Sequence, residues 1–310
     1  MFKDKKINKN WLYLLPAIII LTIFTFLPLT KVLIISFNSN YDKFSDTFGI
    51  KLKELFSLKN YINVLRDYEF KYALRNTFLL VLFVVPLSLI LSLIIALLLN
   101  RIKNHFFKNI FKTFFFMPLI SNTVIMGMIF SIIFYFNVGI SSNKPEGLFN
   151  SFIKFFGFKP QEWIVVTSPF INKIFVLILY NIWIRLPFKI FVFLLAIQNI
   201  DKSYYNAAKI DGASKIRTFT KITLPLIKPI IFYQFIIEML AIFKEYESII
   251  GLFGDKPSYK IQTIVGYIYN QLSNSSFQSY SKGAAAAMIL FFISILFTTI
   301  SILISKKTEK

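Results

Sequence analysis

Asn76 to Asn100 carries no charged side chain and is fenced by Arg75 and Arg101. A stretch of about 20 apolar residues, rising about 1.5 Å each as a helix, matches the hydrocarbon thickness of a bilayer. Few soluble folds could bury such a run. It recurs along the chain. Trp11–Thr30 is uncharged and reads as a retained first helix running to about Phe37, its apolar core too long for a cleaved leader. Thr113–Asn143 contains a third span ending near Phe136. Ile174–Ile200 is a fourth, interrupted by Arg185 and Lys189, and Pro229–Gly254 a fifth, interrupted by Glu238, Lys244, Glu245 and Glu247. Gly283–Ser305 is a sixth, stopped by Lys306-Lys307. The composition agrees: 56% hydrophobic residues and mean hydropathy +0.63 exceed what soluble domains carry. The expected fold is an all-α membrane protein with six transmembrane helices and both termini on one side. Its parts are an N-tail (1–10), a first helix with an extracytoplasmic segment (11–75), a five-helix core (76–305) that includes the loop 201–228, and a C-tail (306–310).

Orientation follows from where the cations sit. The net charge is +20. In a soluble protein that would suggest nucleic acid; between apolar spans it suggests anionic lipid. Lys3, Lys5, Lys6 and Lys9 precede the first span, and Arg101, Lys103, Lys108 and Lys112 crowd the loop 101–112. Such dense, short, span-flanking segments are retained in the cytoplasm. The N-tail, the loops 101–112 and 201–228 and the C-tail are therefore expected there.

Much chemistry is excluded. The chain has no Cys and one His, His105, so thiolate nucleophiles and Cys- or His-built metal sites are ruled out. There is no G-x-x-x-x-G-K-[ST], no G-x-S-x-G and no H-E-x-x-H. No enzymatic activity, cofactor or metal is expected. Any energy for transport must come from an ion gradient or another subunit.

One polar, basic segment lies between the fourth and fifth apolar stretches: NAAKIDGASKIRTFTKITLP at 206–225. Asp201 or Ser203 can cap a helix at 204–210, with Tyr204, Ala207 and Ala208 as its packing face. Gly212 can take the positive φ that ends it. Ser214 can cap a second helix over 215–221, closed by Leu224-Pro225. Two short helices meeting at Gly212 would form a thin, angled knob able to enter a groove on a partner. A plain connecting loop is the alternative that these residue types leave open.

The full spacing resembles the E-A-A-x3-G-x9-I-x-L-P signature of permease subunits of ATP-binding-cassette importers, matched at Ala207, Ala208, Gly212, Ile222, Leu224 and Pro225. Asp211 and Ala213 match its carbohydrate-type form, D-G-A. Asn206 stands where that family usually has Glu, so the charged contact which that Glu is thought to make with the ATPase is absent. LLPAIIILTIFTFLPL at 14–29, FKTFFFMPLISNTVIMGMIF at 111–130 and YSKGAAAAMIL at 280–290 are similar to other parts of the maltose- and glycerol-phosphate-type permeases. The resemblance implies a subunit of a bacterial cytoplasmic-membrane importer for a sugar or oligosaccharide. It implies partners as well: a second permease, two ATPase subunits that dock on 203–225, and an extracytoplasmic solute-binding protein. A permease for another solute (polyol, glycerol phosphate, peptide) is the nearest alternative, and an ion-coupled secondary transporter the more distant one.

Charge inside a span is costly unless it is paired or faces a cavity. Arg185 and Lys189 are i, i+4 on one face; Glu238 and Glu245 are i, i+7 on one face. With Trp183 and Tyr246 they are candidates for lining a path for a hydroxylated solute. A structural Arg185–Glu238 pair locking two helices is the competing expectation.

Overall fold

The computed structural model describes residues 10–39, 41, 57–136, 147–255, 257–258, 260–274 and 278–308. They are helical throughout, with turns between. In chain order the helices are α1 (Asn10–Leu21), α2 (Leu27–Phe37), α3 (Lys59–Arg66), α4 (Tyr68–Arg101), α5 (His105–Ile120), α6 (Thr123–Ile133) and α7 (Leu148–Phe155). They continue as α8 (Phe170–Gln198), α9 (Lys202–Ile210), α10 (Lys215–Thr218), α11 (Leu224–Phe243), α12 (Glu247–Phe253), α13 (Ile264–Ser273) and α14 (Ser279–Thr308). The chain divides into two units, 1–67 with 268–292 and 68–267 with 293–310.

In the first unit α1 and α2 are joined by a π turn, Thr22–Phe26. The turn immediately precedes Leu27-Pro28. Proline offers no N–H, and its ring crowds the carbonyl four residues back. Widening the helix by one residue relieves this: the Leu27 N–H bonds Thr22 O, five residues earlier. α3 is tied to the end of α2 by Asn60, whose Nδ2 donates to the carbonyls of Ser36 and Asn38, each at 3.0 Å.

In the second unit α4 runs along α8, and α11 packs against both. The 34-residue α4 is about 51 Å long at ~1.5 Å per residue, so it overruns the hydrocarbon. It begins at Tyr68, ahead of the expected start at Asn76. α4 is apolar all round, so hydrophobicity cannot decide which side turns inward. All its small and hydroxyl side chains mark the inner face: Ala73, Thr77, Ser88, Ser92 and Ala96 are buried there beside Phe70, Leu80, Val84 and Leu89, while Leu82, Phe83, Ile90 and Leu98 face outward. Between apolar helices surrounded by lipid, close backbone approach and local hydrogen bonds take the place of a hydrophobic driving force.

Among the described residues five helices are long and apolar enough to cross a membrane, and a bent pair taken as one span makes a sixth. The expected third span is that pair. The chain bends by 111° between its halves, across Ser121-Asn122. Asn122 has extended backbone, and its Oδ1 accepts from Val124 N at 2.8 Å and Ile125 N at 3.3 Å, capping α6. The expected fifth span also differs. The helix runs from Lys215 to Phe243 and stops there; Glu247–Phe253 is a separate helix packed against α6. The two cross at glycines, where a Cβ on Gly127 would lie 2.8 Å from Gly251 Cα.

Candidate functional site

α8 sets Asn181, Arg185 and Lys189 at successive turns of one face. α11 presents Glu238, and the chain then breaks at Lys244, bringing Glu245 back toward the same place. The result is a four-charge cluster. Lys189 Nζ lies 2.8 Å from Glu238 Oε2, and Arg185 Nη2 donates to Glu245 Oε2. Arg185 Nε is only loosely placed against Glu238, at 3.9 Å. The expected Arg185–Glu238 lock is thus a different pairing: Glu238 belongs to Lys189 and Arg185 to Glu245. The Lys189 side chain is 2% exposed and those of Glu238 and Glu245 are 7% and 5% exposed, so these charges persist by compensating one another.

Neutral groups extend the network. Asn181 Oδ1 accepts from Arg185 Nε at 3.3 Å, and its Nδ2 donates to Ser248 Oγ at 3.0 Å. Glu245 Oε1 accepts from Ser248 N at 2.9 Å, capping α12, while Thr263 Oγ1 donates to the Glu245 carbonyl at 2.6 Å. Gln234 Nε2 and Glu238 Oε1 are buried with no hydrogen-bond partner among the described residues. The sequence reading missed Asn181, Gln234, Ser248 and Thr263. Asn181 and Gln234 carried a signal, each lying four residues before a charge already singled out.

Beside the cluster is an open cavity of about 320 Å³, lined by Thr123, Ile184, Arg185, Glu245, Tyr246 and Glu247 among others. Both chain breaks open onto it: Thr123 begins α6, and Tyr246-Glu247 begin α12. The Tyr180 hydroxyl donates to the Thr123 carbonyl and holds that edge. Of the proposed path residues, Arg185, Glu245 and Tyr246 line this space. Lys189 and Glu238 lie behind it as a buried pair. Trp183 is not among the lining residues; its ring sits 5.3 Å from Phe130 and 6.4 Å from Tyr180.

The segment 201–225 forms the expected turn. Asp201 caps α9, its carboxylate accepting from Ser203 N at 2.8 Å, a bond that holds its pKa below the ordinary carboxylate value. Gly212 has φ +68. Ala213 N bonds Ala208 O at 2.9 Å and Gly212 N bonds Lys209 O at 3.2 Å, the paired bonds of a Schellman ending. Ser214 Oγ accepts from Arg217 N at 3.3 Å and starts α10.

Two details depart from the sequence reading. Only Ala208 of the proposed packing face is buried; Ala207 is exposed and so is Tyr204. Leu224-Pro225 does not close the second helix. α10 passes through a π turn, Phe219–Thr223, straight into α11, with Leu224 N bonded to Phe219 O. Asn206, Asp211 and Pro225 are exposed, and Ala213, Ile222 and Leu224 are half-buried. Ile210 and Ile216, not singled out from sequence, flank Gly212 at 86% and 77% exposure. Tyr205 OH lies 3.1 Å from Thr223 Oγ1, bracing α9 against the π turn.

A search of known families matches residues 88–310 to the binding-protein-dependent transport system inner membrane component. The chain belongs to this family. The permease resembles an arabinooligosaccharides transport system permease protein of Bacillus subtilis, 30% identical over 61% of this chain and 57% of that one. It also resembles the trehalose/maltose transport system permease protein of Thermococcus litoralis, 26% identical over 96% and 94% of the two chains. A lactose transport system permease protein of Rhizobium radiobacter is 29% identical over 91% and 88%. Among solved structures, a bacterial ABC transporter involved in the import of the acidic polysaccharide alginate matches with TM-score 0.77 and 23% identity over 99% of each chain, a likeness of fold.

Proposed function

We propose that this chain is one of two permease subunits of an ATP-driven, binding-protein-dependent importer of a sugar or oligosaccharide in the bacterial cytoplasmic membrane. The observation that carries the reading is the turn at 201–225: two capped helices meeting at a positive-φ glycine, with Ile210 and Ile216 exposed on either side. Apolar side chains held outward on a short rigid turn suit insertion into a groove of a soluble ATPase. In this reading both termini and 201–228 face the cytoplasm, a second permease completes the path, and an extracytoplasmic protein delivers the solute. The carbohydrate assignment draws on relatives whose names specify arabinooligosaccharides, trehalose/maltose and lactose. The cavity supports it, because Arg185 and Lys244 balance Glu245 and Glu247 along its lining and leave no net charge to select an ion.

The test is affinity isolation of the full chain from its native membranes, followed by identification and uptake assays. Co-isolation of an ATPase that is lost in Gly212→Val at matched membrane level is expected. So is ATP-dependent uptake of labelled oligosaccharide that needs this chain. Retention of the ATPase by Gly212→Val, or uptake collapsed by a protonophore but not by ATP depletion, would overturn the reading. For orientation, a Cys placed at Ser214 should be shielded from an impermeant thiol reagent in intact cells and react once the cells are opened.

A further inference from the structure

A second open space, about 620 Å³, lies along the contact of α4 and α8. Leu79, Phe83 and Leu87 form one wall; Ile171, Phe175 and Leu179 form the other. Leu79 to Leu87 covers about 12 Å along α4. Both walls belong to helices apolar enough to cross a membrane, so the medium around this groove is hydrocarbon rather than water. An apolar groove there has no reason to stay empty, and what fills it must match its end.

That end is cationic and aromatic. The Arg75 guanidinium lies 4.2 Å from the centre of the Phe170 ring and 4.9 Å from that of Tyr72, and it remains exposed. This contact joins the third turn of α4 to the first residue of α8, at the end of the groove. No carboxylate lies within ion-pair distance of Arg75 among the described residues; its Nη2 reaches only Asn76 Oδ1, at 3.4 Å. Lys173 adds a second charge, its Nζ bound to the Val166 carbonyl at 2.6 Å. Acids also stand at this end: Glu69 lies in the first turn of α4, and the Glu162 carboxylate accepts from Thr167 Oγ1 at 2.6 Å. Trp163 and Asn172 complete the end. Trp163 is fixed by its Nε1–H bond to Asn150 Oδ1, 2.9 Å, and Asn172 by donation to the Glu162 carbonyl, 2.9 Å.

We propose that this groove binds one acyl chain of an anionic phospholipid whose phosphate rests on Arg75. A guanidinium without a carboxylate, stacked at the entrance of a lipid-bathed apolar groove, pairs the two chemistries such a lipid carries. A transmembrane helix of another subunit is the competing occupant, and the crosslinker at Phe83 distinguishes it from lipid.

The full chain, isolated in mild detergent with whatever subunits remain bound, is exchanged into nanodiscs holding equal phosphatidylglycerol and phosphatidylcholine. Retained lipid is then counted by native mass spectrometry. The wild-type chain should keep about one phospholipid, enriched in phosphatidylglycerol. Arg75→Gln is exposed and leaves the apolar walls intact, so it should retain lipid while losing about fivefold of that enrichment. Leu179→Trp should fill the groove and abolish retention. A photo-crosslinker at Phe83 should capture lipid. No retained lipid in the wild type, unchanged enrichment in Arg75→Gln, or capture of a protein segment from Phe83 would each overturn the proposal. If Leu179→Trp does not accumulate, Arg75→Gln and the crosslinker still decide the matter.

Discussion

Lys189→Met removes the cation that sits 2.8 Å from Glu238 and leaves a carboxylate 7% exposed in the interior of the helix bundle. Breaking a buried pair from one side costs about 3–5 kcal/mol, because the remaining charge keeps its desolvation penalty and loses its compensation. Arg185 Nε at 3.9 Å still offers Glu238 some relief, which places the expected loss near the lower limit, about 3 kcal/mol. At roughly 2–4 °C per kcal/mol for chains of this order, that is a fall of about 6–12 °C in the apparent Tm. Glu238→Gln should behave alike. The double neutral variant Lys189→Met/Glu238→Gln removes both charges and should recover most of the loss, well short of the about 6 kcal/mol that two additive single losses would give. The exchange Lys189→Glu/Glu238→Lys should also recover. The exchange Arg185→Glu/Glu238→Arg should not, since it breaks both the Lys189–Glu238 and the Arg185–Glu245 pairs. Fluorescence-detected size exclusion after a graded heat step, at matched expression, reads all five variants. Additive losses in the double neutral variant, or recovery by the Arg185 exchange instead of the Lys189 exchange, would refute this pairing.

Other outcomes follow from the same geometry. An added Cβ at Gly212 meets nothing within 4 Å, so only φ +68 resists substitution. Gly212→Asn should therefore keep ATPase recovery in pull-down, whereas Gly212→Val, strained by more than the about 1–2 kcal/mol of an ordinary left-handed residue, should lose it. Gly251→Ala should push a methyl to 2.8 Å from Val124 O and 2.9 Å from Gly127 Cα, lowering thermal stability by about 1–3 kcal/mol of overpacking. A Gly212→Ala loss larger than that of Gly251→Ala in the same heat assay would contradict both arguments. Asn122→Ala removes the cap of α6 and should lower stability by about 0.5–2 kcal/mol, while Asn122→Asp should be tolerated.

The uncharged runs identified the spans because crossing a bilayer imposes length and apolarity together, and both can be counted along a chain. The caps at Asp201 and Ser214 and the positive φ at Gly212 were legible for a similar reason: each is local, decided within four residues. The break at Ser121-Asn122 was not. It lies inside a continuous apolar run, and the Asn122 cap competes with helix continuation by a margin that packing sets. The Lys189–Glu238 pairing was also hidden. Helical spacing placed Arg185 and Lys189 on one face, but which of them meets Glu238 depends on the relative shift of α8 and α11, a long-range quantity. Glu238 and Glu245 at i, i+7 would share a face only of an unbroken helix; both reach the cluster, but Glu245 does so because the helix ends at Phe243.

The two π turns have one sequence in common, Leu-Pro directly after them, and the second lies in the continuous helix from Lys215 to Phe243. One extra residue per turn advances everything downstream by about 100° of rotation. The single residue absorbed ahead of Pro225 therefore sets the phase between the exposed turn at 215–218 and the face of α11 that carries Glu238, about 35 Å away along the axis. Pro225 acts as a clocking element: with Ala in its place the π turn loses its cause, and relaxation to an α turn would swing Glu238 off Lys189 while leaving the turn around Gly212 unchanged.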